Sequence, residues 1–296
     1  RSWNEQTSDA TDEAIRIELF SKQFDWTARY AGEDNVLGRF DYKLTLDNNE
    51  LALMTTNTID SAIWAMENGP TGIKALESKL NDQTIMLIPE DREKMETDLS
   101  RKGRLIRLLY QMKARHDNSI DAAAWDDIVQ KDTLYLCVNK EYEFNFRSKD
   151  VIHSAFFPHF RAQMNCVPGM VTQFAFTPTQ TTAEMRDTKQ IAEKVKEINR
   201  IRTEKSKLLV AEGKEALEPY TFDYLLLCNK ICGKSHYNMQ MKIVVESPED
   251  FKKWLGGQTT LVQNIKAQEQ PVEADKATID TATVVKDSTV VVQVVK

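Results

Sequence analysis

The sequence predicts an all-β core interrupted by two helical insertions. Three observations carry that prediction: short segments in which apolar and polar residues alternate, two longer stretches with apolar residues at helical spacing, and metal-binding residue types concentrated in one loop between strand-like segments. Taking the elements in order, residues 15–30 alternate in a largely strand-like way through Ile15, Ile17 and Leu19 and carry aromatics at Phe20, Phe24, Trp26 and Tyr30. They predict one strand ending at Tyr30 and a turn over 31–35. Residues 134–138 and 142–147, parted by Asn139-Lys140, predict two short strands, and 169–177, 222–228 and 239–246 complete the core.

The pattern turns helical between about residues 61 and 130, where Pro89 opens a run carrying Met95, Leu99, Ile106, Leu109 and Met112. A second helix is expected after Thr181, because Thr181 and Glu184 form a capping-box signature and Ile191, Val195, Ile198 and Ile201 supply an apolar stripe. These helices bury one face against the β-core, or present a surface to a neighbouring subunit; their residues do not choose between the two. Residues beyond 257 are poor in aromatics and predict a loosely ordered tail with one late strand at 288–295.

With 296 residues and 41% hydrophobic content, the chain can bury one sizeable core. A net charge of -6 argues against a nucleic-acid partner and suits a basic protein. No run of about eighteen apolar residues is present, and no charged-then-apolar leader follows Arg1, so the chain is expected to be a piece of a longer product. No internal repeat, Gly-rich phosphate loop or Ser-His-Asp constellation is readable. Four cysteines stand at 137, 166, 228 and 232. Cys137 and Cys166 read as small core residues, whereas Cys228 and Cys232 lie four apart, too close for an unstrained disulfide and well placed to converge on a metal.

Cys228, Cys232, His236 and Met239 follow one another at spacings of four, four and three. Thiolate, imidazole and thioether together favour copper, since thioether sulfur does little for zinc and nothing for magnesium or calcium. Two thiolates so close in sequence can bridge a pair of metal ions. A second imidazole must then come from His116, His153 or His159. Two other readings of the loop stand: a structural zinc site of two cysteines and two histidines, and a metal-free redox pair in which His236 lowers a thiol pKa.

Three stretches resemble subunit II of the haem-copper cytochrome c oxidases: Lys22-Gln23-Phe24-Asp25-Trp26; Arg147 to Ser154 running on to Pro158 and Val167-Pro168-Gly169-Met170; and Cys228 through Met239. The resemblance implies a cupredoxin-like Greek-key β-sandwich on the periplasmic, outer face of the bacterial inner membrane, holding the dinuclear copper A centre. It implies that Cys228 and Cys232 bridge both coppers, that His153 and Met239 complete one, and that His236 and the backbone carbonyl of Lys230 complete the other. Cytochrome c, or a cytochrome c subunit, is the implied donor and haem in subunit I the implied acceptor, with Phe24 or Trp26 receiving the electron. The implied organisation is a linker over 1–15, a copper domain over 16–255 with insertions at about 58–130 and 182–217, and a tail over 256–296. Two membrane helices would precede the linker.

The chain departs from the family pattern at Lys230, where relatives carry a glutamate that also holds a magnesium ion shared with subunit I, and at Asn165, where an aspartate is common. It also lacks the fused cytochrome's Cys-x-x-Cys-His. The copper domain of a nitrous oxide reductase shares the same ligands, but would need a large additional domain.

Overall fold

A computed structural model describes residues 10–264 except 47, 83 and 85. The expected strand at 288–295, most of the expected tail and residues 1–9 of the expected linker lie outside the described residues. Two five-stranded mixed sheets face each other in a sandwich, as the all-β core predicts. The first runs β3-β2-β1-β5-β8, from β1 (Ile15–Lys22), β2 (Asp25–Tyr30), β3 (Ile128–Gln130), β5 (Tyr142–Ser148) and β8 (Thr172–Phe176). The second runs β4-β10-β9-β6-β7, from β4 (Thr133–Cys137), β6 (His153–Phe157), β7 (Ala162–Cys166), β9 (Tyr224–Cys228) and β10 (Gln240–Glu246). Parallel pairings of β1 with β5 and of β4 with β10 join strands distant in sequence.

Alternation decides which side chains fill the space between the sheets. Ile17, Leu19, Trp26, Ala28, Phe144 and Phe146 project from one sheet, and Leu134, Leu136, Ala155, Phe157, Leu226 and Ile243 from the other. Burying each large aliphatic or aromatic side chain contributes about 1.5–3 kcal/mol.

Residues 15–30 form a hairpin, not the single expected strand. Lys22 pairs with Asp25, and the backbone N–H of Gln23 donates to Asp150 Oδ2 at 2.7 Å. No Gly, Pro or Asn marks that reversal; a carboxylate from a distant loop stabilises it. The hairpin of β6 and β7 was also missed, because Ser154 and His153 break the apolar pattern and the reversal turns on Arg161, at a positive φ of 55°.

Helices α1 (Thr56–Asn68), α2 (Ile73–Asn81) and α3 (Pro89–Arg115) pack on one another around Leu44, Ile59, Ala62, Ile63 and Leu109. The second helical stretch divides at Thr188 into α4 (Thr182–Asp187) and α5 (Lys189–Ala211); Thr181 and Glu184 make the expected capping box. Its stripe is used only in part: Ile191 and Val195 pack on the main core, whereas Ile201 is half exposed. Helix α6 (Pro248–Gly256) was not expected, although Ser247 accepts from Asp250 N and Pro248 opens the first turn. No helix among the described residues is long and apolar enough to cross a membrane.

The outer face of the first sheet is also buried, beneath residues 38–53, and it carries charge. Glu18 accepts from Arg147 Nη2 at 2.7 Å and from Arg29 Nη2 at 2.8 Å. Arg147 also donates to Leu51 O and lies over the Phe40 ring at 3.6 Å, while Arg29 donates to Gly38 O and Asp127. Burial works to raise the Glu18 pKa, but two guanidinium groups outweigh it and hold the carboxyl below its usual range. Asp127, with Arg29 as its single ion-pair partner among the described residues, is pushed by burial up to about 7.

Replacing Glu18 with Gln strips Arg147 of its carboxylate and leaves Arg29 with Asp127 alone, and is expected to destabilise the fold by about 3–5 kcal/mol, read as a lowered midpoint in urea unfolding. Since the Glu18 pKa is depressed on folding, its contribution is present above the unfolded carboxylate pKa and is lost as pH falls through the folded value.

Candidate metal centre

The strand ends of the second sheet bring the predicted ligand types together. Strand β9 delivers Cys228 to the start of the loop, and β10 begins one residue after Met239; Cys228 N donates to Met239 O at 3.1 Å, closing the loop at its base. Within it a short 3₁₀ turn at His236–Asn238 folds His236 back toward Cys232. Strand β6 pairs with β9 through Ala155 opposite Cys228, which sets His153 beside the loop.

The sulfur and nitrogen atoms form a continuous cluster. Cys228 Sγ lies 3.8 Å from Cys232 Sγ, 3.8 Å from His153 Nδ1 and 3.2 Å from Lys230 O. Cys232 Sγ lies 3.5 Å from His236 Nδ1 and 3.8 Å from Met239 Sδ. The donor atoms of His153, Cys228 and Cys232 all fall within 4.8 Å of one another, and all three residues are buried. No disulfide joins the two cysteines. Three sulfurs, an imidazole nitrogen and a carbonyl oxygen from one short loop, with a second imidazole from β6, suit a soft metal, and copper above zinc because of the thioether.

His153 is fixed from behind. Its Nε2 meets Asp150 Oδ1 at 2.9 Å, leaving Nδ1 turned toward Cys228. Asp150 also accepts from the backbone N–H of Gln23 and of Val151, each at 2.7 Å. Burial opposes ionisation of Asp150, but these hydrogen bonds prevail and hold its pKa below the usual carboxylate range. Cys232 is pushed the other way: burial, then the neighbouring Cys228 thiol, raises its pKa to about 11. The Cys232 sulfur therefore sheds its proton only when a metal replaces it.

The two predicted aromatics part company. Trp26 is fully buried and meets the His153 ring edge-on, centroids 6.3 Å apart. Phe24 is half-buried and lies against the ligand loop at Gly233, while the Gln23 side chain donates to Cys232 O. Gly233 has a φ of +142°, and a Cβ there would stand 2.8 Å from both the Phe24 ring and the Gln23 amide. Close approach of the two turns therefore depends on glycine.

The other histidines are elsewhere. His159 packs edge-on against Phe222 and Tyr224 beyond the opposite end of β6, and burial lowers its pKa. His116 caps α3 and binds Asp121. Cys137 and Cys166 are buried and unpaired, as expected, and burial pushes the Cys166 thiol up to about 12. Asp150, Gln23 and Gly233 were not read from the sequence as parts of this site; Asp150 three residues before His153 was the available signal.

Among known proteins, the alternative cytochrome c oxidase subunit 2 of Bradyrhizobium diazoefficiens is 31% identical over 144 residues, covering 48% of this chain and 38% of that protein. Over that stretch the chain is similar to cytochrome c oxidase subunit II. Cytochrome c oxidase subunit 2 of Thermostichus vulcanus is 25% identical over 122 residues, covering 41% of the chain and 24% of the relative. The chain thus matches well under half the length of either subunit II protein. No protein-family model matches it. Among solved structures, the periplasmic domain of subunit II of cytochrome oxidase from Bradyrhizobium japonicum overlaps 87% of the chain and 99% of its own, at 14% identity and a TM-score of 0.36.

Two variants test the support around these residues. Asp150→Asn removes the charge behind His153 and is expected to weaken metal retention by about 10–100-fold in a chelator competition. Gly233→Ala is expected to cost about 1–3 kcal/mol in unfolding free energy, because the positive φ and the Phe24 contact both resist a side chain. Metal uptake at an unbuffered pH 7 should release protons, and affinity should rise with pH, because the Cys232 thiol must ionise.

Proposed function

We propose that the chain is the metal-bearing, water-exposed part of the electron-transfer subunit of a haem-copper terminal oxidase. It would accept electrons from cytochrome c or a cytochrome c subunit and pass them to haem in subunit I, at the periplasmic face of the membrane. The observation that carries this reading is the gathering of two cysteine sulfurs, two histidine nitrogens and a methionine sulfur from β6 and the β9–β10 loop, in a chain similar over 144 residues to subunit II.

His153, Cys228, Cys232, His236, Met239 and the carbonyl of Lys230 would hold a pair of copper ions. Bound there, such a pair exchanges one electron with little change in bond length, which keeps the reorganisation energy low. The chain's own part is to fix the ligands. The β6–β9 ladder sets the spacing of His153 from Cys228, Asp150 orients the imidazole, and Met239 is anchored at the start of β10. The packed core around Trp26 keeps water from one side of the cluster. Phe24, nearer the surface, would receive the electron from the donor, with Trp26 behind it against His153. With Lys230 between the cysteines, this subunit would bring no side-chain carboxylate at that position to a magnesium ion shared with subunit I.

Metal analysis and colour test the proposal. After reconstitution, about two coppers per chain and an intense purple oxidised form are expected. Cys228→Ser should abolish the colour, and Lys230→Ala should leave it nearly unchanged, because only the main chain of residue 230 faces the sulfur. Stoichiometric zinc in a colourless, folded protein would overturn the assignment in favour of a structural zinc module.

A further inference from the structure

The face beside the ligand loop carries a charge opposite to that of the chain as a whole. Three turns meet there, at residues 23–24, at 149–152 and after Cys228. Gln23 joins them, since it donates to both Asp150 and Cys232 O, while Phe24 lies against Gly233. Lys149 belongs to the same face, because its backbone N–H donates to Ser21 O at 2.9 Å, one residue before Lys22.

The charges of this face do not balance. Glu50 pairs with Lys22 at 2.8 Å and with Lys131 at 3.6 Å. The hydrogen bond from Lys22, then the charges of Lys22, Lys131 and Lys149, hold its carboxyl below the usual range against the effect of burial. One carboxylate therefore serves three ammonium groups. Beyond the Phe24 turn the ligand loop adds Lys230 and Lys234, both exposed, and no acidic residue stands between Cys228 and Met239. Lys149, Lys230 and Lys234 form no ion pair among the described residues. Asp150 is engaged by His153 and by two backbone N–H groups, and Asp25 is the remaining carboxylate of the three turns. Lysine thus outnumbers carboxylate here, on a chain whose net charge is -6.

Apolar groups lie among these charges. Phe24 is half-buried, Val151 and Ile152 are partly open to solvent directly after Asp150, and Ile231, next to Cys232, is 86% exposed. An apolar centre with a charged rim is the anatomy of a protein docking surface. The net negative charge of the chain repels nucleic acid and an anionic membrane at long range. The basic protein that the net charge suits would meet like charge on this face.

We propose that this face docks an electron-donor protein with an acidic surface, whose carboxylates meet Lys131, Lys149 and Lys234 around an apolar contact on Phe24, Val151 and Ile152. The proposal rests on the electron-transfer reading, in which Phe24 receives the electron. Local charge orients the encounter more than total charge does, because the field of an exposed ion decays over about 8 Å at physiological ionic strength.

NMR titration of the ¹⁵N-labelled, copper-free chain tests this, with an acidic algal cytochrome c and the basic mitochondrial cytochrome c as probes. At low ionic strength the acidic protein is expected to bind at least about tenfold more tightly, shifting amides of residues 22–25, 149–152 and 230–234. Its affinity should fall about tenfold or more as ionic strength rises from about 0.01 M to about 0.15 M. Lys149→Glu/Lys234→Glu should lose at least about tenfold in affinity for it, with circular dichroism unchanged. Lys196→Glu/Lys205→Glu on α5 makes the same change in total charge and should bind as the parent does. Tighter binding of the basic cytochrome, equal losses in the two double variants, shifts confined to other faces, or association with phosphatidylglycerol vesicles but with neither cytochrome would each overturn the proposal. A chain that docks the acidic cytochrome in this way yet takes up no copper would uphold the docking face and overturn the copper reading alone.

Discussion

The register between β6 and β9 is the constraint on which the candidate site depends. Ala155 lies opposite Cys228, and Asn229 N donates to Ser154 O at 3.0 Å, so a histidine 75 residues before the first cysteine arrives 3.8 Å from its sulfur. Side chains alternate across a strand, so a slip of one residue would turn His153 to the opposite face and bring Ser154 in its place. The slip is resisted by the core, because Ala155 and Phe157 share the face that His153 occupies and would leave it together.

Around that ladder the molecule places rigidity where ligands need it. Asp150 ties three pieces of chain to one carboxylate: the His153 ring, the Gln23 turn and its own loop. The Gln23 turn in turn lies against Gly233 in the ligand loop. A change at Asp150 is therefore felt both by the imidazole and by the aromatic hairpin. The buried Glu18–Arg29–Arg147 network fastens residues 38–53 over the outer face of the same hairpin, so the insertion is joined to the β-core by buried charge as well as by apolar contact. Such a network is unforgiving of single deletions, since each removed charge leaves its partner desolvated.

The legible parts of the fold were those whose signal is local. Alternation marked β4, β5, β9 and β10 within a few residues, Pro89 opened α3, and Thr181 with Glu184 opened α4. The misreadings share a cause. The β1–β2 reversal is held by Asp150, more than a hundred residues away; β6 and β7 carry polar residues such as His153 and Ser154, held by Asp150 and Gln163, that interrupt the alternation; and α5 exposes half a stripe that periodicity alone would bury.

By itself the sequence determined the composition of the ligand loop and its spacing, because two thiols, an imidazole and a thioether within a dozen residues must share one neighbourhood whatever the fold. Only the tertiary structure decided which of three remaining histidines joins them, which aromatic touches that histidine and which lies nearer the surface, and which carboxylate stands behind it. Those choices follow from strand pairing and burial between segments far apart in the chain, and no local pattern of residues encodes a distance across a sheet.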